Sequence, residues 1–156
     1  MKTILAPIDF SPVSRRVIDE AVILARAYAA RVVVLHVVPP PPIVGEIALV
    51  SDEVMHFTEA WMKGARDRLN EVQRRLKGDR IAVETRCVAG RPAEQILAQA
   101  EEVGAHYVVV GSHGYTALRE LVVGGTTMVV LRRATGRVVV VPHLAADSAW
   151  GARKQA

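Results

Sequence analysis

Between Gly111 and Thr127 the chain reads GSHGYTALRELVVGGTT, with Gly111 and Gly114 three apart and, nine residues later, Gly124 and Gly125 followed by Thr126 and Thr127. Glycines can take positive φ and let backbone N–H groups close on an anion. The second pair, with its threonines, stands where a helix would open, and a helix N-terminus favours anions through its unpaired amides and its dipole. The chemistry these residues suit is phosphate binding by backbone donors. Asp9, in APIDFSP, is wrong for a bare phosphate because like charges repel, and right for a bound Mg²⁺ or a ribose hydroxyl.

Familiar nucleotide motifs are missing. No Walker A lysine follows the glycines, and no dinucleotide fingerprint follows the first strand, where APIDFSP stands. The acidic pair, second acid and lysine of a phosphorylatable receiver domain have no evident counterparts. His113 reads as a phosphate donor or an exposed loop residue. His36, closing an apolar strand, reads as a satisfied core histidine rather than a ligand.

Periodicity supplies the elements that must position these groups. TILAPI forms a first strand, after which Ser11 as N-cap and Pro12 as first helical residue open a helix to about Tyr28, with Val13, Val17, Ala21, Leu24 and Ala25 on one face. RVVVLHVV is a second strand, apolar throughout as in a sheet covered on both faces. Residues 39–50, PPPPIVGEIALV, cannot extend it, since proline lacks the ladder N–H; they read as a stiff connector or a partner-docking segment. Ser51 caps a long helix with Val54, Phe57, Trp61, Ala65, Leu69, Val72 and Leu76 on its apolar face, which makes Phe57 and Trp61 expected core anchors. RIAVETRCVAG is a third strand, Pro92 opens a third helix through Ile96, Leu97 and Ala100, and AHYVVV is a fourth strand. TTMVVLRRATG is β-rich in composition, but a parallel strand after AHYVVV requires a crossover, so it is expected to be helical, with Arg132 and Arg133 in its last turn and Gly136 beyond it. RVVVVP is the fifth strand.

These elements imply an α/β class: one domain over residues 1–142 with a doubly wound, Rossmann-like, five-stranded parallel sheet, for which the order 3-2-1-4-5 is taken, and a tail, residues 143–156. In such sheets ligands bind at the carboxyl ends of the strands where the order reverses. Asp9 and Gly111 both fall at strand ends beside that point.

Composition agrees. A 51% hydrophobic and only 4% aromatic content means a core of aliphatic side chains. The charge of +4 is dispersed, without the interleaved aromatics of a base-stacking platform, which argues against nucleic acid as a partner. Arg74, Arg75 and Lys77, like Arg132 and Arg133, suit helix C-termini. Cys87 is the sole cysteine, so no internal disulfide forms, and its strand setting suits a small apolar residue. No apolar run has signal-peptide or membrane-spanning length, so a soluble, cytoplasmic protein is expected.

The chain resembles the universal stress protein family over roughly residues 2–142, on ILAPIDFSPVS with Asp9, LHVV, VAGRPAEQIL, and VVVGSHG with nine residues to Gly124. The nucleotide-binding branch carries G-x2-G-x9-G-(S/T) and binds ATP. The resemblance implies an ATP site, with Mg²⁺, in which Pro7, Ile8 and Val37 frame the adenine and Asp9 lies near the ribose or metal. Val110, Gly111, His113 and Gly114 would lie along the phosphates, and Gly124, Gly125, Thr126 and Thr127 would hold their far side. It further implies a stress-response homodimer joined through the fifth strand, whose apolar edge invites pairing. Two departures stand out: Gly125 replaces the usual Ser or Thr, with Thr126 or Thr127 available to compensate, and His106 replaces an acidic residue. No oriented general base is visible beside Asp9 or His113, so at most slow hydrolysis is expected rather than enzymatic turnover. The competing readings are a dimeric interaction module that has lost nucleotide binding and answers to a protein partner, and a small enzyme acting on an adenylated substrate. The latter lacks the Gly-rich pyrophosphatase loop.

Overall fold

The computed structural model describes residues 1–40, 52–79, 81–112 and 123–142. Strands β1 (Thr3–Pro7), β2 (Arg31–Val38), β3 (Val83–Ala89), β4 (Tyr107–Gly111) and β5 (Arg137–Val141) alternate with helices α1 (Pro12–Tyr28), α2 (Asp52–Leu76), α3 (Pro92–Glu102) and α4 (Gly125–Arg133). All four strand pairings are parallel, and the sheet order is β3-β2-β1-β4-β5. The chain thus winds one way from β1 through β2 to β3, then returns to the other side of β1 for β4 and β5.

Strand side chains alternate between two apolar layers, as a period of two requires. Ile4, Ala6, Val32, Val34 and Val109 pack with Val13, Val17, Ala21 and Ala25 of α1 and Leu69 and Leu76 of α2. Leu5, Val33, Leu35, Val108 and Val110 pack with Ile96 of α3 and Val130 of α4 on the opposite face. Because both faces are covered, the central strands carry runs of consecutive apolar residues, Ile4–Ala6, Val32–Leu35 and Val108–Val110, rather than an alternation. TTMVVLRR is indeed helical: the right-handed crossover outweighs its β-branched composition, and Arg132 and Arg133 occupy its last turn.

One local expectation fails, and another holds in position but not in its hydrogen bond. Trp61 is 47% exposed, not a core anchor. At about 37 Å the 25-residue α2 is longer than the about 26 Å of β2, so its apolar stripe outruns the sheet, and its described buried residues are Ala65, Leu69 and Leu76. Ser11 occupies the N-cap position of α1, yet its side chain makes no capping hydrogen bond and its buried Oγ has no partner. Asp9 braces the turn before the helix instead, accepting the Ser11 N–H at 2.9 Å and the Ser14 hydroxyl at 3.1 Å through Oδ1, while the Ser14 N–H donates to the Ser11 carbonyl. Ser51 and the side chains of Val54 and Phe57 lie outside the described residues, as do the segment 41–50 and the tail.

His106 acquires a structural role at the far end of the sheet. Its Nδ1 accepts the Thr3 N–H at 3.3 Å while its own N–H donates to the Thr3 carbonyl at 2.8 Å, joining β1 to the start of β4. Cys87 is half-buried with Sγ 3.6 Å from the Met62 sulfur, and burial pushes its thiol pKa up, as an inert packing residue requires.

Candidate functional site

At the carboxyl ends of β1 and β4, where the winding reverses, a cavity of about 480 Å³ opens. That lies within the usual range for small-molecule sites, about 300–1,000 Å³. It is lined by ten of the twelve residues expected from sequence: Pro7, Ile8, Asp9, Val37, Val110, Gly111, Gly124, Gly125, Thr126 and Thr127. His113 and Gly114 lie outside the described residues.

One wall is apolar. Ile8 continues the β1–β2 ladder, donating its N–H to the Leu35 carbonyl at 2.8 Å, which sets it beside Val37. Pro92 and Ile96 close this wall from α3. They reach it because Gly90, at φ +143°, turns the chain tightly out of β3 while its N–H donates to the Val38 carbonyl at 2.9 Å. A Cβ there would stand 2.8 Å from the Gln95 side chain, which explains the glycine of VAGRPAEQIL.

The other wall is polar backbone. The Ser112 N–H donates to the Val141 carbonyl and the Gly124 N–H to the Ser112 carbonyl, both at 2.8 Å, so the end of β4 is tied to the start of α4. Gly124 caps the helix without a side chain, and the first-turn amides of Gly125, Thr126 and Thr127 have no intrahelical acceptor. Gly111 is not the positive-φ hinge expected from sequence. It remains extended as the last residue of β4, paired with Val141, and the positive-φ glycines among the described residues are Gly90 and Gly104. Thr127 is buried and its hydroxyl donates to the Gly111 carbonyl at 2.8 Å, so its only O–H serves the fold rather than a ligand. Thr126 and Gly125 are exposed at the mouth. Of the two threonines expected to compensate for Gly125, the geometry leaves Thr126.

Asp9 is exposed between the two walls. Both of its hydrogen bonds to the α1 turn are made through Oδ1. Among the described residues no cluster of three or more His, Cys, Asp or Glu side chains could hold a metal by itself, so a cation here would draw most of its oxygens from a bound ligand and water. His36, expected in the core, is half-buried and lines the cavity as well. Its Nδ1 lies 2.8 Å from the Ile8 carbonyl, and burial pushes its pKa down, which keeps the ring neutral near pH 7. Sequence reasoning also missed Ser14, the hydroxyl that fixes Asp9; the i+5 spacing across a helix start was its available signal.

Such an arrangement, an apolar slot leading to helix-terminal amides with one carboxylate between them, suits a ligand with a flat apolar end, hydroxyls in its middle and an anionic tail. The model of the Universal stress protein family matches residues 1–142. Universal stress protein MJ0531 of Methanocaldococcus jannaschii is 29% identical over 140 residues, covering 90% of this chain and 81% of that protein. The solved structure of MJ0577 from the same organism superposes with a TM-score of 0.82 at 27% identity, covering 93% of this chain and 98% of that one. A universal stress protein solved in complex with cAMP superposes with a TM-score of 0.61 at 25% identity, covering 90% and 95%.

Proposed function

Because the chain belongs to the universal stress protein family, we propose that it binds an adenine nucleotide, ATP with Mg²⁺, in the cavity between β1 and β4, and acts as a nucleotide-responsive stress-response dimer rather than an enzyme. The observation that carries this reading is the juxtaposition, in one cavity, of Pro7, Ile8 and Val37 with Asp9 and the α4 N-terminus. The related protein solved with cAMP supports an adenine nucleotide as the ligand class.

The residues fit the group. The apolar wall takes the base, Asp9 accepts a hydrogen bond from the ribose or faces the cation, and the Gly125 and Thr126 amides receive phosphate oxygens with the helix dipole behind them. Mg²⁺ would be held mainly by phosphate oxygens and water, with Asp9 as its one carboxylate. Phosphate charge neutralisation is the chemistry the cation supplies there. Asp9 Oδ1 is occupied by the Ser11 N–H and the Ser14 hydroxyl, and the His36 Nδ1–H is held by the Ile8 carbonyl. Neither is thereby oriented on an attacking water, so turnover should be slow.

The homodimer forms through β5. That strand is the sheet edge beyond β4, and Val138, Val139 and Val140 are only half-buried in the single chain. A second copy would cover them and pair the open edge. Residues 1–142 form the working domain, and the protein acts in the cytoplasm; no described helix is long and apolar enough to cross a membrane.

The test is to purify the protein without added nucleotide, denature it, identify any released small molecule by mass spectrometry, and titrate ATP with and without Mg²⁺ by calorimetry. Stoichiometric nucleotide, or micromolar binding, is expected. A protein that arrives empty and ignores millimolar ATP refutes the reading and favours the interaction module, in which Gly125 and the engaged Thr127 hydroxyl mark a lost phosphate site.

A further inference from the structure

Phe10 stands between Asp9 and the start of α1 with φ 61°, a left-handed conformation that bulky residues rarely adopt and that persists only where the surroundings over-determine it. Its ring is gripped by two other elements. The Arg68 guanidinium of α2 lies over it, 3.9 Å from the centroid, and the His36 imidazole of β2 packs against it with centroids 4.5 Å apart and planes at 38°. His36 is itself anchored to the same turn, because a carbonyl only accepts and Nδ1 therefore donates to Ile8.

Building on the nucleotide reading above, we propose that His36 and Arg68 are positioning residues: by holding the Phe10 ring they maintain the left-handed turn that presents Asp9 to the cavity. The consequence for Asp9 is direct. Its carboxylate accepts the Ser11 N–H and the Ser14 hydroxyl across this turn, and reversing the sign of φ at Phe10 would swing Asp9 away from both donors. Arg68 does not line the cavity. Its contact route to a ligand there runs through the ring it covers, apart from the field of its charge, which also reaches His36, and this links α2, which packs on β2 and β3, to the ligand site.

The experiment uses the full chain with Phe10→Gly, Phe10→Ala, Arg68→Gln and the Phe10→Gly/Arg68→Gln double variant. Two readouts are taken: hydrogen-exchange protection of the Ser11 amide by NMR in nucleotide-free protein, and ATP affinity by calorimetry. Glycine tolerates φ 61° without a clamp, whereas alanine keeps the steric penalty and loses the ring. Phe10→Ala is therefore expected to lower Ser11 protection and ATP affinity by about tenfold, more than Phe10→Gly does. A residue that merely filled space would give the reverse order, since glycine removes more. Arg68→Gln is expected to lower both readouts about threefold, the scale of one cation–π contact, and to have no effect in the Phe10→Gly background. Phe10→Ala matching or exceeding Phe10→Gly, or Arg68→Gln acting equally in both backgrounds, overturns the proposal. If the wild-type protein ignores ATP while Ser11 protection follows the stated order, the clamp stands and the nucleotide reading falls.

Discussion

Replacing Gly125 by serine should tighten nucleotide binding. Gly125 is the first residue of α4, exposed at the cavity mouth, and a Cβ built on it meets nothing within 4 Å. Serine there would carry no packing penalty, and it is a better helix former than glycine by a few tenths of a kcal/mol. The new hydroxyl would stand beside the helix-terminal amides, where the family pattern has one and where Thr127 cannot substitute because its O–H is engaged with Gly111. A hydrogen bond to a charged phosphate contributes about 1.5–3 kcal/mol, against about 0.5–1 kcal/mol for ordering one short side chain. The net is about 1–2 kcal/mol, or about 5- to 30-fold in Kd. Calorimetric titration of ATP into wild type, Gly125→Ser and Gly125→Ala measures it, with adenosine as the ligand that lacks phosphate. The serine variant should gain affinity for ATP alone, and the alanine variant should gain none. Equal gains for adenosine and ATP, or tighter binding by alanine as well as serine, would refute the assignment of the α4 N-terminus to phosphate.

Other predictions concern the groups around this position. Thr127→Val removes the hydrogen bond to the Gly111 carbonyl and should destabilise the fold by about 1 kcal/mol in urea unfolding, since the shape is retained and only the bond is lost. Asp9→Ala should weaken ATP binding and also lower stability by about 1–2 kcal/mol through the two hydrogen bonds lost from the turn, whereas Asp9→Asn should stay near wild-type stability and lose affinity for Mg-ATP. His36 carries a pKa lowered by burial from the ordinary 6.5, so the unfolded chain binds the proton more readily than the folded one. Its contribution to stability is therefore complete above about pH 6.5 and declines as pH falls through the lower folded value, and His36→Gln should flatten that part of a stability–pH curve measured by chemical denaturation. Light scattering at micromolar concentration should report a dimer, and a monomer would remove the role given to β5.

The strands and the helices were legible in the sequence because they rest on local periodicity and on one chiral rule, whereas the sheet order, taken as 3-2-1-4-5 and found so, is not fixed by either. Strands with near-continuous apolar runs, such as the VVVL of RVVVLHVV, imply a sheet buried on both faces, and the right-handed crossover makes TTMVVLRR a helix whatever its composition. The candidate site was legible once that sheet order was taken: when β1 and β4 flank the reversal, Asp9 and Gly111 must share an edge. Tertiary structure decided what depends on lengths and on competition for individual hydrogen atoms. Trp61 continues an apolar stripe but projects beyond the sheet that would have buried it, and period alone carries no measure of how far a neighbouring layer extends. Thr127 looked like a phosphate hydroxyl until its one O–H met the Gly111 carbonyl, and Ser11, though it stands at the N-cap, leaves its hydroxyl unused because the Ser14 N–H goes to the Ser11 carbonyl. The turn at Phe10 has one local mark, the Asp9 carboxylate accepting the Ser11 N–H, but nothing local calls for the left-handed φ at a phenylalanine. It exists because residues 26 and 58 positions away, His36 and Arg68, pack on a ring that could not hold that conformation alone.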